Sequence, residues 1–456
     1  MDLSPLIHTF TPSLLTYDTI NRYRITSACL TFSYAASFID DSTIDSLYSS
    51  ALQMSVWSKL DALLAGEPVN RSENKAVLHH RLRSNDRAVY PDDLGSFNRI
   101  LHIGIGGSIL GPQAMYDALR RFIQPRVPVS FTGNLDPDDI NDYLNSMPLA
   151  DTLFIIVSKS GQTQETQSNL QRLQHAGVDL RSHVIVVTTP GSALDQPDRF
   201  LAIHHFNETI GGRYSVTSAV GGVTLSLCFG SSVFDDLLTG AHAIDKTVTI
   251  QDPRQNMCLM SALISVWQRQ GLGYSSKAII PYAQALQRFV AHIQQLDCES
   301  NGKSVDLHGN RVLHPTGPVI FGEPGTHAQH SFFQLLHQGT DIIPTQFIAF
   351  KRSQLPDPVF AQSKLLANVM AQIIALAQSN RPSSLIIADQ LTPQVCGALL
   401  SFYENQVMFQ GFLWNINSFD QPGVELGKRI AHDILTNSNQ TYRDIIDAFT
   451  GLMDSI

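Results

Sequence analysis

Short apolar runs recur along this chain, each closed by a polar or glycine-rich loop and followed by a stretch of helical period. Arg99 to Ile105 reads as a strand ending in Gly106-Gly107-Ser108, with a helix from Gln113 to Phe122. Phe154 to Val157 repeats the pattern, with a helix from Thr163 to His175 that stops near Gly177. Val184 to Val187 is a further buried strand. A second series begins near Ser276. In it Lys277 to Ile280, Val319 to Phe321 and Ile342 to Phe350 read as strands. Tyr282 to Leu296, His327 to His337, Gln362 to Gln378 and Pro393 to Trp414 read as helices. The stretch before Arg71 carries mixed helical patterning, and the chain from Val424 onward is helical. Strands alternating with helices imply an α/β fold built on parallel sheets covered on both faces. The expected divisions are an N-terminal helical segment over residues 1–75, α/β domains over 76–245 and 246–435, and a C-terminal helix over 436–456.

Composition narrows the picture. A chain of 456 residues is too long for one ordinary core, which agrees with several domains. Its net charge of −9 argues against a nucleic-acid partner, which favours a basic stripe. It leaves an anionic substrate open, because charge inside a cleft can oppose the global sign. Cys29, Cys228, Cys258, Cys298 and Cys396 are scattered without metal spacing and read as reduced thiols of a cytoplasmic protein. Met1-Asp2-Leu3-Ser4-Pro5 has neither the basic nor the apolar region of a signal peptide. Leu365 to Ala377, broken by Asn368 and Gln372, fits a buried helix better than a membrane span.

Candidate chemistry collects in a few loops. Ser158-Lys159-Ser160-Gly161-Gln162-Thr163 follows a strand and opens a helix. Free N–H groups and the dipole at a helix start favour an anion, and these hydroxyls and the lysine suit phosphate. A plain N-cap needs only one such hydroxyl. Gly104-Ile105-Gly106-Gly107-Ser108 admits a close ligand or serves a tight turn; it is neither a Rossmann fingerprint nor a Walker A loop. In Gly211-Gly212-Arg213-Tyr214-Ser215 the guanidinium suits an oxyanion, a phosphate or a structural salt bridge. Glu299, in Cys298-Glu299-Ser300-Asn301-Gly302-Lys303, is a candidate general base or a solvated surface carboxylate. Gln295 shares its helix face. His330, Gln334 and His337 fall on one face of the next helix. No His-Glu-x-x-His or cysteine pairing supports a metal. Gln421 to Lys428 gives a polar loop and then a lysine on a helix, which alone reads as a surface side chain.

Together with Gly66-Glu67-Pro68-Val69-Asn70, Glu73 to His79 and Gly322-Glu323-Pro324-Gly325-Thr326, these segments resemble the glucose-6-phosphate isomerase (phosphoglucose isomerase) family from Gly66 to Lys428. Gly211–Ser215 and Gln421–Lys428 look like its two most diagnostic motifs. The resemblance implies two sugar-isomerase-type (SIS) domains with extra terminal helices. It also implies a homodimer that lends one histidine across the interface, a hexose 6-phosphate substrate and no cofactor. Glu299 matches the base that moves a proton between C1 and C2, and Arg213 the group that stabilises the enediolate. His330 matches the histidine from the partner subunit, and Lys428 its companion in ring opening. Ser158, Lys159, Ser160 and Thr163 match the phosphate loop, and Gly107, Ser108, Gln295 and Gln421 match further substrate contacts. The chain departs from the family at Thr326-His327-Ala328, where Thr-Asn-Gly is common, at Pro422, where an aromatic residue is usual, and at Ser160-Gly161-Gln162, where a threonine-rich stretch is frequent. An isomerase that also takes mannose 6-phosphate, and a non-catalytic sugar-phosphate sensor, are the competing expectations.

Overall fold

The computed structural model describes Leu3, residues 15–436 and residues 442–453. Apart from Leu3, the start of the chain lies outside the described residues. So do parts of the 1–75 and 436–456 segments. The chain forms two compact units, Met1–Ser418 and Phe419–Ile456.

The first unit holds two sheets. One is wholly parallel, in the order β4-β3-β5-β6-β7, from β3 (Arg99–Ile103), β4 (Val129–Thr132), β5 (Thr152–Val157), β6 (Val184–Thr188) and β7 (Ala202–His205). Every residue of β5 and β6 is buried. Burial on both faces is why these strands read as unbroken Val/Ile/Phe runs. Leu101, Ile103, Phe154, Ile156 and Val186 form the core of this sheet with Leu170 and Leu173 from the helix Gln164–His175.

The other sheet runs β1-β2-β11-β10-β8-β9. Its parallel part is β8 (Ser276–Pro281), β9 (Val319–Phe321), β10 (Thr345–Phe350) and β11 (Ser383–Ala388). The antiparallel hairpin of β1 (Arg24–Ser27) and β2 (Leu30–Ser33) joins along β11, with Leu385 opposite Ser33. The stretch before Arg71, read as helical, therefore contributes two strands. Both are short and alternate polar with apolar residues, which hides them in a helical context.

In each parallel series the second strand (β4, β9) lies on one side of the first (β3, β8) and the third (β5, β10) on the other. The direction in which successive strands are laid across the sheet thus reverses between β3 and β5, and between β8 and β10, while the strands themselves stay parallel. Loops at the carboxyl ends of strands flanking such a point are where α/β sheets bind ligands.

Helices differ from expectation in informative ways. The first runs Leu110–Leu119, not from Gln113, because Pro112 sits in the first turn, where a missing N–H is tolerated. The helix expected over Tyr282 to Leu296 begins at Gln287 and reaches Asn301, carrying Glu299 and Ser300 in its last turn. The helix expected over His327 to His337 is two short ones, Gly325–Gln329 and Phe333–Gln338. His330 leaves the first at φ −94, ψ 7, and Phe332 turns back to meet Phe321 edge-to-face with ring centroids 5.1 Å apart. Pro393–Trp414 is as expected, and nearly every residue in it is buried. Its polar members are paired inside: Ser261 Oγ donates to Gln406 Oε1 at 2.6 Å, and Glu404 takes the Arg83 guanidinium.

The second unit contains a turn at Pro422–Val424 and the helices Glu425–Leu435 and Arg443–Met453. Among the described residues no helix is long and apolar enough to cross a membrane.

Candidate active site

Three chain segments distant in sequence meet in the first unit. The loop after β3 turns at Gly106, with φ +57, and brings Gly107 against the Gly212–Arg213 peptide. A methyl group on Gly107 would lie 2.2 Å from the Gly212 carbonyl carbon and 2.7 Å from Arg213 N. Only glycine allows that approach. The Ser215 hydroxyl donates to the Gly212 carbonyl at 2.6 Å and reaches the Gly107 carbonyl at 3.4 Å, tying the two segments together. His102, buried on β3, fixes the next residue: its Nε2 lies 2.7 Å from the Ser108 carbonyl and its Nδ1 2.8 Å from Thr224 Oγ1. Burial pushes the His102 imidazole down to about 4, so the ring is neutral near pH 7.

The third segment is the last turn of Gln287–Asn301. Arg213 Nη1 stands 3.3 Å from Glu299 Oε2, with the arginine side chain 1% and the glutamate 24% exposed. The guanidinium is therefore held inside while the carboxylate remains reachable. Arg213 Nε donates to Ser300 Oγ at 2.7 Å and Nη2 to the Ser418 carbonyl at 2.8 Å. Gln295 Nε2 donates to the same Glu299 oxygen at 3.2 Å, as their helical spacing foretells. Lys303 Nζ binds the Glu299 and Ser300 carbonyls at 3.0 and 2.7 Å, placing a cation on the negative end of the helix. Cys298–Lys303 thus occupies a helix terminus.

The loop after β5 is organised by its own side chains. Gly161 N donates to Ser158 Oγ at 3.1 Å, Ser158 Oγ and Thr163 Oγ1 are 3.2 Å apart, and Gln162 N donates to Ser160 Oγ at 3.1 Å. Thr188 and Thr189 hydroxyls donate to the Ser158 and Lys159 carbonyls at 2.7 and 2.8 Å. Lys159 Nζ donates to the Ile210 carbonyl at 3.1 Å, which links the loop to the start of Gly211–Ser215. Burial, reinforced by Lys75, lowers the Lys159 ammonium below the usual lysine value.

Gly107, Arg213, Gln295 and Glu299 are thus brought together, with Ser108 next in the chain to Gly107 and the Ser158–Thr163 loop linked through Lys159 Nζ on the Ile210 carbonyl. His330 stands exposed in the turn between its two helices, its N–H on the His327 carbonyl at 2.9 Å. His337 faces Gln372 at 3.5 Å, so the expected face of His330, Gln334 and His337 on one helix does not form. Gln421 and Lys428 belong to the second unit, where Gln421 precedes the Pro422–Val424 turn and Lys428 Nζ pairs with Glu425 Oε1 at 2.9 Å. No cluster of His, Cys, Asp or Glu able to hold a metal occurs among the described residues.

Ser300, Tyr214 and Ser418 escaped the sequence reading of individual roles. Tyr214, buried, puts its hydroxyl 3.1 Å from Ser300 Oγ, and burial raises its phenol. The available signal was position alone: two of them adjoin Arg213 and Glu299, and Ser418 lies in the polar run after a buried helix.

Residues 93–379 and 377–450 match the family model described as phosphoglucose isomerase. The glucose-6-phosphate isomerase of Treponema pallidum (strain Nichols) is 43% identical over 92% of this chain and 90% of its own length. That of Chlamydia pneumoniae is 42% identical over 95% and 91%. Among solved structures, a glucose-6-phosphate isomerase from Chlamydia trachomatis D/UW-3/Cx superposes with a TM-score of 0.92 at 35% identity, covering 99% of this chain and 98% of that one.

Proposed function

The chain belongs to the phosphoglucose isomerase family, and on that premise we propose how its own residues interconvert glucose 6-phosphate and fructose 6-phosphate. The reading rests on one observation above others: a reachable carboxylate, Glu299, paired at 3.3 Å with a buried guanidinium, Arg213.

His330, supplied by the partner subunit of a homodimer, and Lys428 open the sugar ring. Glu299 takes the C2 proton of the aldose and returns it to C1, giving the ketose through a cis-enediolate; the reverse reaction retraces these steps. Proton transfer neutralises Glu299 as negative charge appears on the enediolate. Arg213 then exchanges one anionic neighbour for another without having to reorganise, which is where fixed charge lowers a barrier most. Ser158, Lys159, Ser160 and Thr163 hold the phosphate, so the reacting carbons arrive positioned. Gly107, Ser108, Gln295 and Gln421 complete the contacts. Neither a cofactor nor a metal has a step in this scheme. The enzyme so described works in the cytoplasm, in glycolysis and gluconeogenesis.

A coupled assay of fructose 6-phosphate conversion to glucose 6-phosphate tests the reading, and absence of turnover refutes it. Mannose 6-phosphate in the same assay decides the breadth of specificity. Thermal stabilisation by hexose phosphate without turnover would mark a sensor instead.

A further inference from the structure

Ser418 is buried, 2% exposed, and its carbonyl and its hydroxyl are both committed. Its carbonyl accepts Arg213 Nη2 at 2.8 Å, and its hydroxyl donates to Asn301 Oδ1 at 2.7 Å. Asn301 ends the helix that carries Glu299, and is anchored in turn. Its Nδ2 donates to the Val407 carbonyl at 3.2 Å and to Gln410 Oε1 at 3.0 Å, both on the buried helix Pro393–Trp414. One turn on, Gly411 leaves the space that Ser418 fills. A methyl there would lie 1.9 Å from Ser418 Oγ and 3.0 Å from its Cβ.

A guanidinium is planar, and two bonds in that plane fix its orientation. Ser300 Oγ supplies one at Nε and the Ser418 carbonyl another at Nη2, leaving Nη1 toward Glu299. Ser300 and Asn301 are neighbours on the helix of Glu299. Both bonds are therefore referenced to the element that carries the base.

We propose that Ser418 is a positioning residue: through its carbonyl it aims the Arg213 guanidinium, and through its hydroxyl on Asn301 it keeps that aim in register with Glu299. This rests on the roles given to Glu299 and Arg213 above. A buried serine that merely satisfies its own polar groups would affect how much protein folds, but not how a folded molecule treats the enediolate.

The experiment uses the full chain with Ser418→Ala, Gly411→Ala and the double variant, each checked by thermal melting. The probe is 5-phosphoarabinonate, whose planar carboxylate carries charge where the enediolate does. For Ser418→Ala, kcat should fall on the order of tenfold and the inhibition constant should rise by a similar factor, with KM for fructose 6-phosphate within about twofold. Gly411→Ala should do the same, although it removes no polar group, and the double variant should be no worse than either single one. An inhibition constant unchanged from wild type, or additive losses in the double variant, overturns the proposal. A fall in apparent kcat that only tracks the amount of folded protein, with the inhibition constant unmoved, also overturns it. Wild-type protein without turnover brings down the functional reading, and this proposal with it.

Discussion

Arg213 and Glu299 form an ion pair, Nη1 to Oε2 at 3.3 Å. The guanidinium spends its other nitrogens on Ser300 and Ser418, so its geometry is tied to its fork shape. Arg213→Lys keeps the charge but cannot make these bonds together. Its kcat should fall on the order of a hundredfold, as when an oxyanion-stabilising donor is removed. Steady-state kinetics check this, and retention of near-native kcat would show that charge alone suffices. Glu299→Gln should lose more, along with exchange of the substrate C2 hydrogen with solvent, followed by NMR in deuterium oxide.

Gly107→Ala sets a methyl group 2.2 Å from the Gly212 carbonyl carbon, and the obstacle is backbone, which cannot rotate away. The Gly211–Ser215 segment must shift. Overpacking of this kind costs about 1–3 kcal/mol, so a lower melting temperature should accompany reduced kcat. A variant that melts and turns over like wild type would mean that the contact is looser than drawn.

In the loop after β5, Ser158 and Thr163 hydroxyls lie 3.2 Å apart, and the Ser158 oxygen also holds the Gly161 N–H. Ser158→Ala with Thr163→Ala should raise KM for fructose 6-phosphate on the order of tenfold, while kcat changes less. Equal KM values in variant and wild type would remove phosphate binding from this loop.

Arg83 is wholly buried, with its Nη1 3.2 Å from Asp245 and its Nη2 on the equally buried Glu404. Breaking such a pair strands a charge in the interior and typically costs about 3–5 kcal/mol. Arg83→Met should unfold at correspondingly lower urea concentration. Replacing Glu404 by Gln in the same chain should restore part of the loss. A single variant as stable as wild type would show that the pair contributes no net stability.

His102 and His292 are buried, and burial pushes each down to about 4. An unfolded histidine titrates near about 6.5, so the unfolded chain binds more protons between these values. Stability is therefore fully present above about 6.5 and is lost as pH falls toward 4, by up to about 1.4 kcal/mol per pH unit for each ring. Among the described residues neither nitrogen of His292 finds a hydrogen-bond partner. His292→Leu should flatten the acid side of a melting-temperature profile and raise the value at pH 5. An unchanged profile would exclude His292 as a source of acid lability.

Legibility in the sequence follows burial. β3, β5 and β6 lie inside a sheet covered on both faces, and their apolar runs are plain in the residues. β4 and β7 are edge strands of that sheet, and Ala202–His205 reads Ala-Ile-His-His, with no residue fully buried. An edge strand need not be apolar, so it leaves little trace. Within the site, the Gln295–Glu299 contact follows from helical spacing alone. The Arg213–Glu299 pair depends on how two distant segments pack, which no local pattern encodes. The break at His330 was hidden for a similar reason: Phe332 leaves the helical course to reach Phe321, a partner on another element.

The hairpin β1–β2 has one more consequence, which concerns synthesis. Among the described strands these leave the ribosome earliest, yet Ser33 must wait for Leu385 before β2 has a sheet to join. The sheet β3–β7 has all its strands by His205 and can form while the rest of the chain is still being made. The hairpin spends that interval with an unpaired edge, the state in which strands recruit wrong partners. For this molecule the hazardous stage of biogenesis begins when the hairpin emerges and ends only when β11 does.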